Sequence, residues 1–300
     1  MSKLQNMFDL TGHVALVTGA GTGIGLMIAQ GLAAHGARVY LAGRRLEVVE
    51  KAAASLEPQG SGFPLQLDVT DKASIVSCVK YIEDREGKLH ILVNNAGQVG
   101  PTSFFLNDKS NAQHTSPSAL GQALFESGSF NDWERLFSIN ISSIYFVTTA
   151  FIGLLSRGTE DRISKGDDGY TASVINITSI SGILKVAQEH FAYNTSKAAV
   201  THLTKLLSTE FVLNDIPVRV NSIAPGVYAS ELTATEEQLA GKAATDKMSK
   251  APMGVPAGRA GRAEEIAGTV VFLVSRAGCY TNGQEIVVDG GALTINPSTA

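Results

Sequence analysis

His13-Val-Ala-Leu-Val-Thr18 is followed directly by Gly19-Ala-Gly-Thr-Gly23-Ile-Gly25, and this stretch decides the fold. The first six residues form an apolar run of strand length, and Leu26 to Ala34 has the apolar spacing of a helix. A glycine-rich turn between a strand and a helix lets backbone approach a pyrophosphate, whose charge then lies at the helix N-terminus. The stretch predicts a dinucleotide-binding turn, with a plain tight turn as the alternative.

Strand and helix patterns alternate along the chain, which is typical of a parallel sheet with right-handed crossovers. We therefore expect one doubly wound α/β domain over residues 1–300, with no linker or internal repeat. The predicted strands are Val14–Thr18, Arg38–Ala42, Pro64–Asp68, Ile91–Asn94, Ser173–Thr178, Val218–Ile223 and Glu285–Val288. The predicted helices are Gly25–Ala34, Leu46–Leu56, Lys72–Arg85, Asp132–Leu155, Tyr193–Leu213 and Glu264–Ser275.

Tyr193 and Lys197 stand four residues apart in a helical pattern, so their side chains share one helix face. A phenol normally releases its proton near pH 10 and is a poor acid/base at neutrality. A close, partly desolvated ammonium stabilises the phenolate, and lowering the phenol pKa by ~3 units needs about 4 kcal/mol. The pair predicts an acid/base tyrosine, with chance helical spacing as the alternative.

From about Leu10 to Gly291, the ordered motifs resemble the short-chain dehydrogenase/reductase family, in its Tyr-x-x-x-Lys branch. The matching motifs are Thr18-Gly-x-x-x-Gly23-x-Gly25, Asp68-Val69, Asn94-Asn-Ala-Gly97, Asn140, Ser179, Tyr193-x-x-x-Lys197, Pro225-Gly226 and Gly283-Gln-x-Ile-x-Val-Asp289-Gly-Gly291. The resemblance implies a Rossmann fold with seven parallel strands in the order 3-2-1-4-5-6-7. It also implies an NADP-dependent ketone reductase similar to 3-oxoacyl-[acyl-carrier-protein] reductases.

The resemblance assigns cofactor contacts residue by residue. It implies that Asp68 accepts from the adenine amino group and that Ser230 stands near the nicotinamide carboxamide. Two alternatives stay open, because Asp68 could cap the next helix and Asn95 could tie neighbouring strands together. The residues implied to bind the cofactor are Gly19, Thr22, Gly23, Ile24, Gly25, Arg44, Arg45, Asp68, Val69, Asn95, Ala96, Gly97, Tyr193, Lys197, Pro225, Gly226, Val227 and Ser230.

The end of the second strand carries the choice between NAD and NADP. A ribose 2′-hydroxyl is usually held by an acidic side chain ~20 residues after the glycine turn. Here the region reads Leu41-Ala-Gly-Arg44-Arg45, and the first acid is Glu47 in the next helix. A guanidinium forms charge-assisted bonds with a phosphate. Arg44, with Arg45 and the Thr22 hydroxyl, predicts NADP(H), although Thr22 replaces a basic residue of many NADP-using relatives; NAD(H) is the alternative.

Four residues are implied to carry the chemistry. In the reducing direction Tyr193 protonates the developing alkoxide, Ser179 positions it, and Lys197 lowers the tyrosine pKa and bonds the nicotinamide ribose. Asn140 lies in a helix, where asparagine is a mediocre former, and is implied to hold a kink and a water linking Lys197 to solvent. The alternatives are Ser181 in place of Ser179 and a purely structural Asn140.

Composition argues against several other functions. The net charge of −4 provides no basic field for nucleic acid. No run of eighteen apolar residues occurs and residues 1–12 lack a signal-peptide layout, so we expect no membrane association and a cytoplasmic location. Cys78 and Cys279 are expected to be buried thiols. The six histidines form no ligand constellation, so no metal is predicted.

Three segments fall outside the regular pattern. Residues 98–131 are polar and irregular and leave the ligand-binding end of the fourth strand. We expect a substrate-pocket rim or a subunit contact there, with a solvated excursion as the alternative. Residues 157–171 are hydrophilic and are predicted to be a second surface insertion. Residues 231–253 resemble the mobile substrate lid of the family.

Substrate and partners are less specified. The long helices Asp132–Leu155 and Tyr193–Leu213 are rich in apolar residues, and the resemblance implies a homodimer or homotetramer; burial within a monomer is the alternative. The expected substrate is a small ketone or secondary alcohol. The candidate pocket residues are Gln98, Val99, Ser181, Gly182, Gln188 to Phe191 and Tyr228.

Three functions remain open at this stage. The first is an NADP-dependent ketone reductase, and the second is an NAD-linked alcohol or polyol dehydrogenase on the same fold. The third is a non-catalytic, dinucleotide-bound scaffold protein. Retention of the full Asn, Ser, Tyr and Lys set argues against the third, because a protein without redox chemistry is free to lose those groups.

Overall fold

Seven parallel strands form one sheet in the order three-two-one-four-five-six-seven, as the family resemblance implied. The computed structural model describes residues 4–230 and 254–299. The strands are β1 (Val14–Thr18), β2 (Arg38–Gly43), β3 (Gly62–Gln66), β4 (Ile91–Asn94), β5 (Ala172–Ile177), β6 (Val218–Pro225) and β7 (Glu285–Val288).

The central strands are buried along their whole length. Every residue of β1, β4, β5 and β6 is buried, as expected for parallel strands covered on both faces. Strand β1 pairs with β2 from Val14 and Arg38, and with β4 from Ala15 and Ile91. The strand order therefore reverses between β1 and β4, and a crevice opens at the carboxyl ends of these strands.

Helices pack on both faces of the sheet. Ile28 and Val270 belong to the buried cluster on one face, and Ile75, Phe151 and Phe211 belong to the cluster on the other. Because each helix buries one apolar stripe against the sheet, the two clusters form two core layers. The helices are α1 (Gly23–Ala34), α2 (Leu46–Ala54), α3 (Lys72–Glu86), α4 (Pro117–Glu126), α5 (Phe130–Phe137), α6 (Ser143–Ser164), α7 (Phe191–Leu213), α8 (Ala263–Val274) and α9 (Ala292–Ile295).

The predicted strand Pro64–Asp68 lies two residues too late in the chain. Strand β3 begins at Gly62, which pairs with Val39 of β2, and it ends at Gln66. Asp68 has already left the sheet for the turn that leads to α3, where Asp71 is the N-cap. The other predicted boundaries agree within two residues, except in the helix predicted over Asp132–Leu155.

The hydrophilic stretch 157–171 is not a surface insertion over its first half, so that prediction is wrong there. Helix α6 continues to Ser164, with Gly158 and Thr159 buried. Gly158 packs on the carbonyl oxygen of Leu89, where a Cβ would collide with the backbone. The Thr159 hydroxyl donates to the carbonyl of Pro217 (2.7 Å). Thr159 therefore serves a contact inside the fold.

The segment 98–131 is more ordered than its composition suggested. It contains a 3₁₀ turn at Ala112–Thr115 and helix α4, whose N-cap Ser116 accepts from the backbone N–H of Ala119 (3.1 Å). The prediction of an irregular segment is therefore wrong over α4. Ser-Pro at a helix start is a strong local signal, because serine caps the helix and proline is tolerated in its first turn.

Helices α5 and α6 join into an apolar stretch, Phe130–Ser164, long enough by composition and length to cross a bilayer; half of its most apolar window is buried against the protein, as in a core helix.

Cys78 is buried, which raises its pKa to about 12, but Cys279 is partly exposed, contrary to the prediction. The predicted lid at 231–253 lies outside the described residues.

Candidate active site

A cavity of about 650 Å³ opens at the carboxyl edge of the sheet. All residues predicted to bind cofactor or to carry chemistry line this cavity, except Gly25, Asp68 and Asn140. The glycine turn, the end of β2, the end of β4, the start of α7 and the end of β6 all contribute to its wall. Residues more than two hundred positions apart in the chain thus line one cavity.

The glycine turn is held in shape by the neighbouring strand. Gly19 and Gly23 have φ values of +64° and +54°, a region that L-residues rarely adopt. The Asn95 side-chain amide donates to the carbonyls of Thr18 (3.1 Å) and Gly19 (3.0 Å). A Cβ on Gly25 would lie 2.5 Å from that amide nitrogen, so Gly25 permits the close packing without lining the cavity. The tying role considered for Asn95 is present, and the residue also lines the cavity.

The two arginines after β2 are exposed and line the same cavity. Arg44 and Arg45 line it together with Thr22, as the predicted 2′-phosphate contact requires. Apolar side chains from Val48 and Leu67 complete this end. The arrangement can hold an anionic group beside an apolar surface, because guanidinium groups form directed bonds with phosphate.

Asp68 closes a turn before α3 and does not cap that helix, whose N-cap is Asp71, so the alternative of a helix-capping Asp68 is wrong. Its Oδ1 accepts from the hydroxyl (2.7 Å) and the backbone N–H (2.9 Å) of Thr70. These bonds, and more weakly the charge of Arg44, lower the pKa of the Asp68 carboxyl. The structure places Val69, not Asp68, in the cavity lining. An adenine contact by Asp68 stays a prediction.

Lys197 is buried without a carboxylate partner among the described residues. Its Nζ donates to the carbonyl of Ile177 (2.8 Å), and its side chain is 5% exposed. Burial lowers the pKa of Lys197 to about 8, because the charged form loses its hydration. The Nζ lies 5.6 Å from the centroid of the Tyr193 ring.

The pKa of Tyr193 shifts in the direction opposite to the sequence-based expectation. Burial raises the pKa of the phenol, and a hydrogen bond with Ser179 works weakly against this rise. The expected lowering by Lys197 is not seen, because burial disfavours charge on both side chains. The protein alone therefore keeps Tyr193 protonated at neutral pH, which suits a proton donor.

The structure separates the two candidate serines. Ser179 forms the hydrogen bond with Tyr193 and also accepts from the backbone N–H of Ser181 (3.1 Å). The Ser181 hydroxyl instead donates to Oε1 of Gln188 (3.1 Å). Both serines line the cavity, and Ser179 is the one whose hydrogen bond acts on the phenol. This geometry favours Ser179 as the group beside the reacting oxygen.

Asn140 lies behind the cavity wall, in a π-helical segment at Ser138–Ser142 that joins α5 to α6. Its Oδ1 accepts from the Gln98 N–H (2.9 Å), and its Nδ2 donates to the Gln98 carbonyl (3.0 Å) and the Ser196 hydroxyl (3.0 Å). The predicted local distortion is therefore present, since π-helical turns interrupt regular α-helix. These bonds connect the exit of β4 with α7 next to Lys197, and the proposed water link stays a prediction.

Sequence reasoning missed part of the lining and included residues that lie outside it. Gly182, Glu189 and Phe191 do not line the cavity. Val48 was missed although its position in the first turn of α2, just after the carboxyl end of β2, could have indicated it. The missed residues are Gly21, Gly43, Val48, Val49, Leu67, Ile139, Ile177, Thr178 and Ile180.

Comparisons with known proteins agree with this geometry. The family model described as enoyl-(acyl carrier protein) reductase matches residues 19–293. The short-chain dehydrogenase/reductase PhomF of Diaporthe leptostromiformis is 37% identical over 98% of this chain and 96% of its own length. Gluconate 5-dehydrogenase of Gluconobacter oxydans is 35% identical, over 95% and 96% of the two chains. The Pseudomonas aeruginosa RhlG/NADP active-site complex superposes with a TM-score of 0.78 at 31% identity, covering 95% of this chain and 98% of the other.

Proposed function

Because this chain belongs to the short-chain dehydrogenase/reductase family, we propose that it transfers a hydride between NADP(H) and a ketone or secondary alcohol. The observation that carries the proposal is the convergence of Ser179, Tyr193 and Lys197 on the cavity that the glycine turn also lines. When bound, the nicotinamide supplies or accepts the hydride. The protein supplies binding, orientation and a proton.

The cavity fits a nicotinamide dinucleotide at both of its ends. The glycine turn precedes the N-terminus of α1, where backbone N–H groups favour a pyrophosphate. The buried ammonium of Lys197 has no carboxylate partner in the described part of the chain and is available to a ribose hydroxyl. Pro225, Gly226 and Val227 provide backbone and apolar surface for a flat ring.

In the reducing direction Tyr193 gives its proton to the carbonyl oxygen of the substrate. The phenol is suited to this because burial keeps it protonated in the resting protein. Ser179 stabilises the oxygen that gains negative charge, since a placed hydroxyl acts without reorganisation. Lys197 stabilises the phenolate that is left behind, and a positioned acid of this kind contributes about 10²–10⁴-fold to the rate.

NADP is the cofactor that we propose, because Arg44 and Arg45 line the cavity at the end of β2 and the described cavity lining contains no acidic side chain. An acid at this place would hold a ribose 2′-hydroxyl and repel a 2′-phosphate. The similarity to a protein solved as an NADP complex supports the same choice. Separate dissociation constants for NADPH and NADH test it.

The substitution Tyr193→Phe tests the reaction. We expect turnover of ketones with NADPH to fall by about 10²–10⁴-fold, because the proton donor is lost. The dissociation constant for NADPH should stay within about twofold, since the ring and Lys197 remain. Tyr280→Phe removes a phenol that is fully exposed and serves as the matched control. Parental turnover in Tyr193→Phe would show that the assignment is wrong.

The similarity to gluconate 5-dehydrogenase favours a second candidate, a dehydrogenase that oxidises a polyol or alcohol on the same fold. This function is distinguished by tighter binding of NADH than NADPH and by faster oxidation of polyols than reduction of ketones. The non-catalytic alternative predicts cofactor binding with no turnover across a broad panel of ketones and alcohols. A single set of initial-rate measurements separates the three functions.

We also propose that the protein is a homodimer or homotetramer. Tyr145 and Phe146 of α6 and Leu206, Val212 and Leu213 of α7 are large apolar side chains that are exposed in the single chain. Apolar surface of this kind favours association, because burial removes it from water. Sedimentation of the purified protein tests the proposal, and a monomer at micromolar concentration would contradict it.

A further inference from the structure

The Glu285 side chain, on the first residue of β7, accepts hydrogen bonds from two other elements of the fold. Its Oε1 atom accepts from the hydroxyl of Thr178 (2.7 Å), directly after β5, and from the hydroxyl of Thr201 (2.7 Å) on α7. The Ser222 hydroxyl on β6 lies 3.5 Å from the same atom. Bonds of about 2.5–2.7 Å between a hydroxyl and a carboxylate are charge-assisted, so the two short bonds are the strong ones. One carboxylate oxygen therefore joins the end of β5 to α7.

Both threonine hydroxyls have a backbone carbonyl as a second acceptor within reach. The Thr201 hydroxyl lies 3.2 Å from the carbonyl of Lys197, the bond that a threonine inside a helix ordinarily makes. The Thr178 hydroxyl lies 2.8 Å from the carbonyl of Ile223. In each case the Glu285 oxygen is the closer acceptor. Each hydroxyl would satisfy itself on its own carbonyl if the carboxylate were removed, so this link between β5 and α7 is made by Glu285.

The end of β5 is the first of the two segments that the carboxylate joins. Thr178 follows Ile177, whose carbonyl accepts from Nζ of Lys197 (2.8 Å). It precedes Ser179, which forms the hydrogen bond with Tyr193. A shift of Thr178 would therefore move a partner of the ammonium and a partner of the phenol together.

The second segment is α7, in which Thr201 stands one helical turn after Lys197. Glu285 itself does not line the cavity. A displacement of about 1 Å in a catalytic group can cost about 10²-fold in rate. An anchor one turn from Lys197 and one residue from Ser179 can therefore affect turnover without contacting the substrate.

We propose that Glu285 is a positioning residue that holds Ser179 and Lys197 at the spacing that hydride transfer requires. This inference rests on the proposed function, in which Ser179 stabilises the reacting oxygen and Lys197 stabilises the phenolate of Tyr193. The carboxylate acts through the two threonine hydroxyls, so the spacing depends on a hydrogen-bond acceptor at Oε1. A glutamine at this position provides such an acceptor, and a leucine does not.

Glu285→Leu tests the inference on the substrate of the ketone and alcohol panel that the parental protein turns over fastest. We expect kcat to fall by about ten- to hundredfold, because the catalytic groups lose their spacing. The KM for the substrate and the dissociation constant for NADPH should change by less than about threefold, since the cavity lining is unchanged. Glu285→Gln should recover most of the kcat. A residue that only stabilised the fold would lower the denaturant midpoint without this split between kcat and KM.

Glu160→Leu, at an exposed position on α6, is the matched control and should leave both kcat and KM at their parental values. Thr201→Val removes one of the two links while keeping the shape of the side chain, and it should lower kcat by about threefold or more. Combined with Glu285→Leu it should cause no further fall, because the acceptor of its hydroxyl is already gone.

A parental kcat in Glu285→Leu, or a Glu285→Gln as slow as Glu285→Leu, would overturn this inference and leave the proposed reaction standing. Falls that multiply in the double variant would overturn it as well, because the two residues would then act independently. If Glu285→Leu does not fold, Thr201→Val decides, and a parental kcat in that variant overturns the inference. A parental protein that turns over no ketone or alcohol of the panel would overturn the proposed function and this inference together.

Discussion

The two edges of the sheet treat buried charge in opposite ways. At the carboxyl edge, Lys197 is buried with only a backbone carbonyl as partner among the described residues. At the amino edge, Asp161 accepts from Lys88 (2.5 Å), Lys165 (2.9 Å) and His90 (3.3 Å). One edge leaves a charge available to a ligand, and the other neutralises its charges within the protein.

The amino edge is a closed polar cluster. Burial works to raise the pKa of the Asp161 carboxyl, but the hydrogen bonds from Lys88, Lys165 and His90 outweigh it and hold the pKa far below its ordinary range. Asp167 pairs with both Arg162 and Arg276. Removing Asp161 leaves the buried His90 without its side-chain partner, whereas Lys165 is half exposed and regains water.

The comparison teaches that a charge without a protein partner marks function better than burial or charge alone. Both edges have buried ionisable groups with shifted pKa values, but only the carboxyl edge combines them with an open cavity. Charge removal should therefore have opposite effects on stability at the two edges.

The largest expected effect comes from Lys197→Met. Turnover should fall by about 10³-fold or more, because the phenolate of Tyr193 loses its stabilising charge. The free energy of unfolding should nevertheless rise by about 1–2 kcal/mol at pH 7, since a charge that is unfavourable in the folded state has been removed. Urea unfolding of both proteins measures this. Lys205→Met, at an exposed position on α7, is the control, and a less stable Lys197→Met would contradict the comparison.

At the amino edge, Asp161→Ala should lower the free energy of unfolding by about 2 kcal/mol, because Lys88 and His90 lose a charged hydrogen-bond partner while Lys165 regains water. Turnover of the folded fraction should stay near the parental value, since the cluster lies at the far end of the sheet. Denaturant midpoints and initial rates on the same samples check both statements. A stability unchanged within error would show that the ion pairs are only surface interactions.

Acid pH should lower the free energy of unfolding through the histidines at the amino edge of the sheet. Burial, and then the charge of Arg162, lower the pKa of His13 to about 4. In the unfolded chain the histidine side chain titrates near pH 6.5. The free energy of unfolding therefore has its full value above that pH and falls as the pH drops towards 4. One such group loses about 2 kcal/mol by pH 5. His13→Leu should reduce the loss of unfolding free energy between pH 7 and pH 5 by that amount.

The exposed His202 offers the control for this pH dependence, because His202→Leu should leave the slope of unfolding free energy unchanged. Burial also lowers the pKa of His90, to about 3, so a slope remains in His13→Leu over the same window. The carboxyl of Asp161 contributes only at still lower pH, because its folded pKa lies below its ordinary value. A flat profile between pH 7 and 5 in the parental protein would contradict the account of the amino edge.

The smallest expected effect concerns cofactor choice. Arg44→Ala should raise the dissociation constant for NADPH by about ten- to thirtyfold, because a charge-assisted bond to phosphate contributes roughly 1.5–2 kcal/mol. The dissociation constant for NADH should change by less than about threefold. Fluorescence titration of both cofactors measures the difference. Equal losses for the two would show that Arg44 supports the fold of the loop rather than the phosphate.

Local patterns were enough for much of the fold and part of the site. The apolar run of β1, the turn from Gly19 to Gly25 and the four-residue spacing of Tyr193 and Lys197 are all signals within one or two elements, where backbone geometry leaves few alternatives. The limits of α6 were misjudged because hydrophilic residues in 157–171 indicate a loop by composition. Several of them instead pair with partners far away in sequence, as Arg157 does with Glu83 and Thr159 with Pro217.

The amino-acid order by itself determined the strand alternation, the glycine turn and which side chains could carry chemistry, because these depend on near neighbours and on periods of two and 3.6 residues. Only the tertiary structure decided that Ser179 rather than Ser181 meets Tyr193, that Asp68 closes a turn, and that burial raises the pKa of the phenol. Those outcomes depend on hydration and distance between segments remote in the chain, and local sequence carries no information about either.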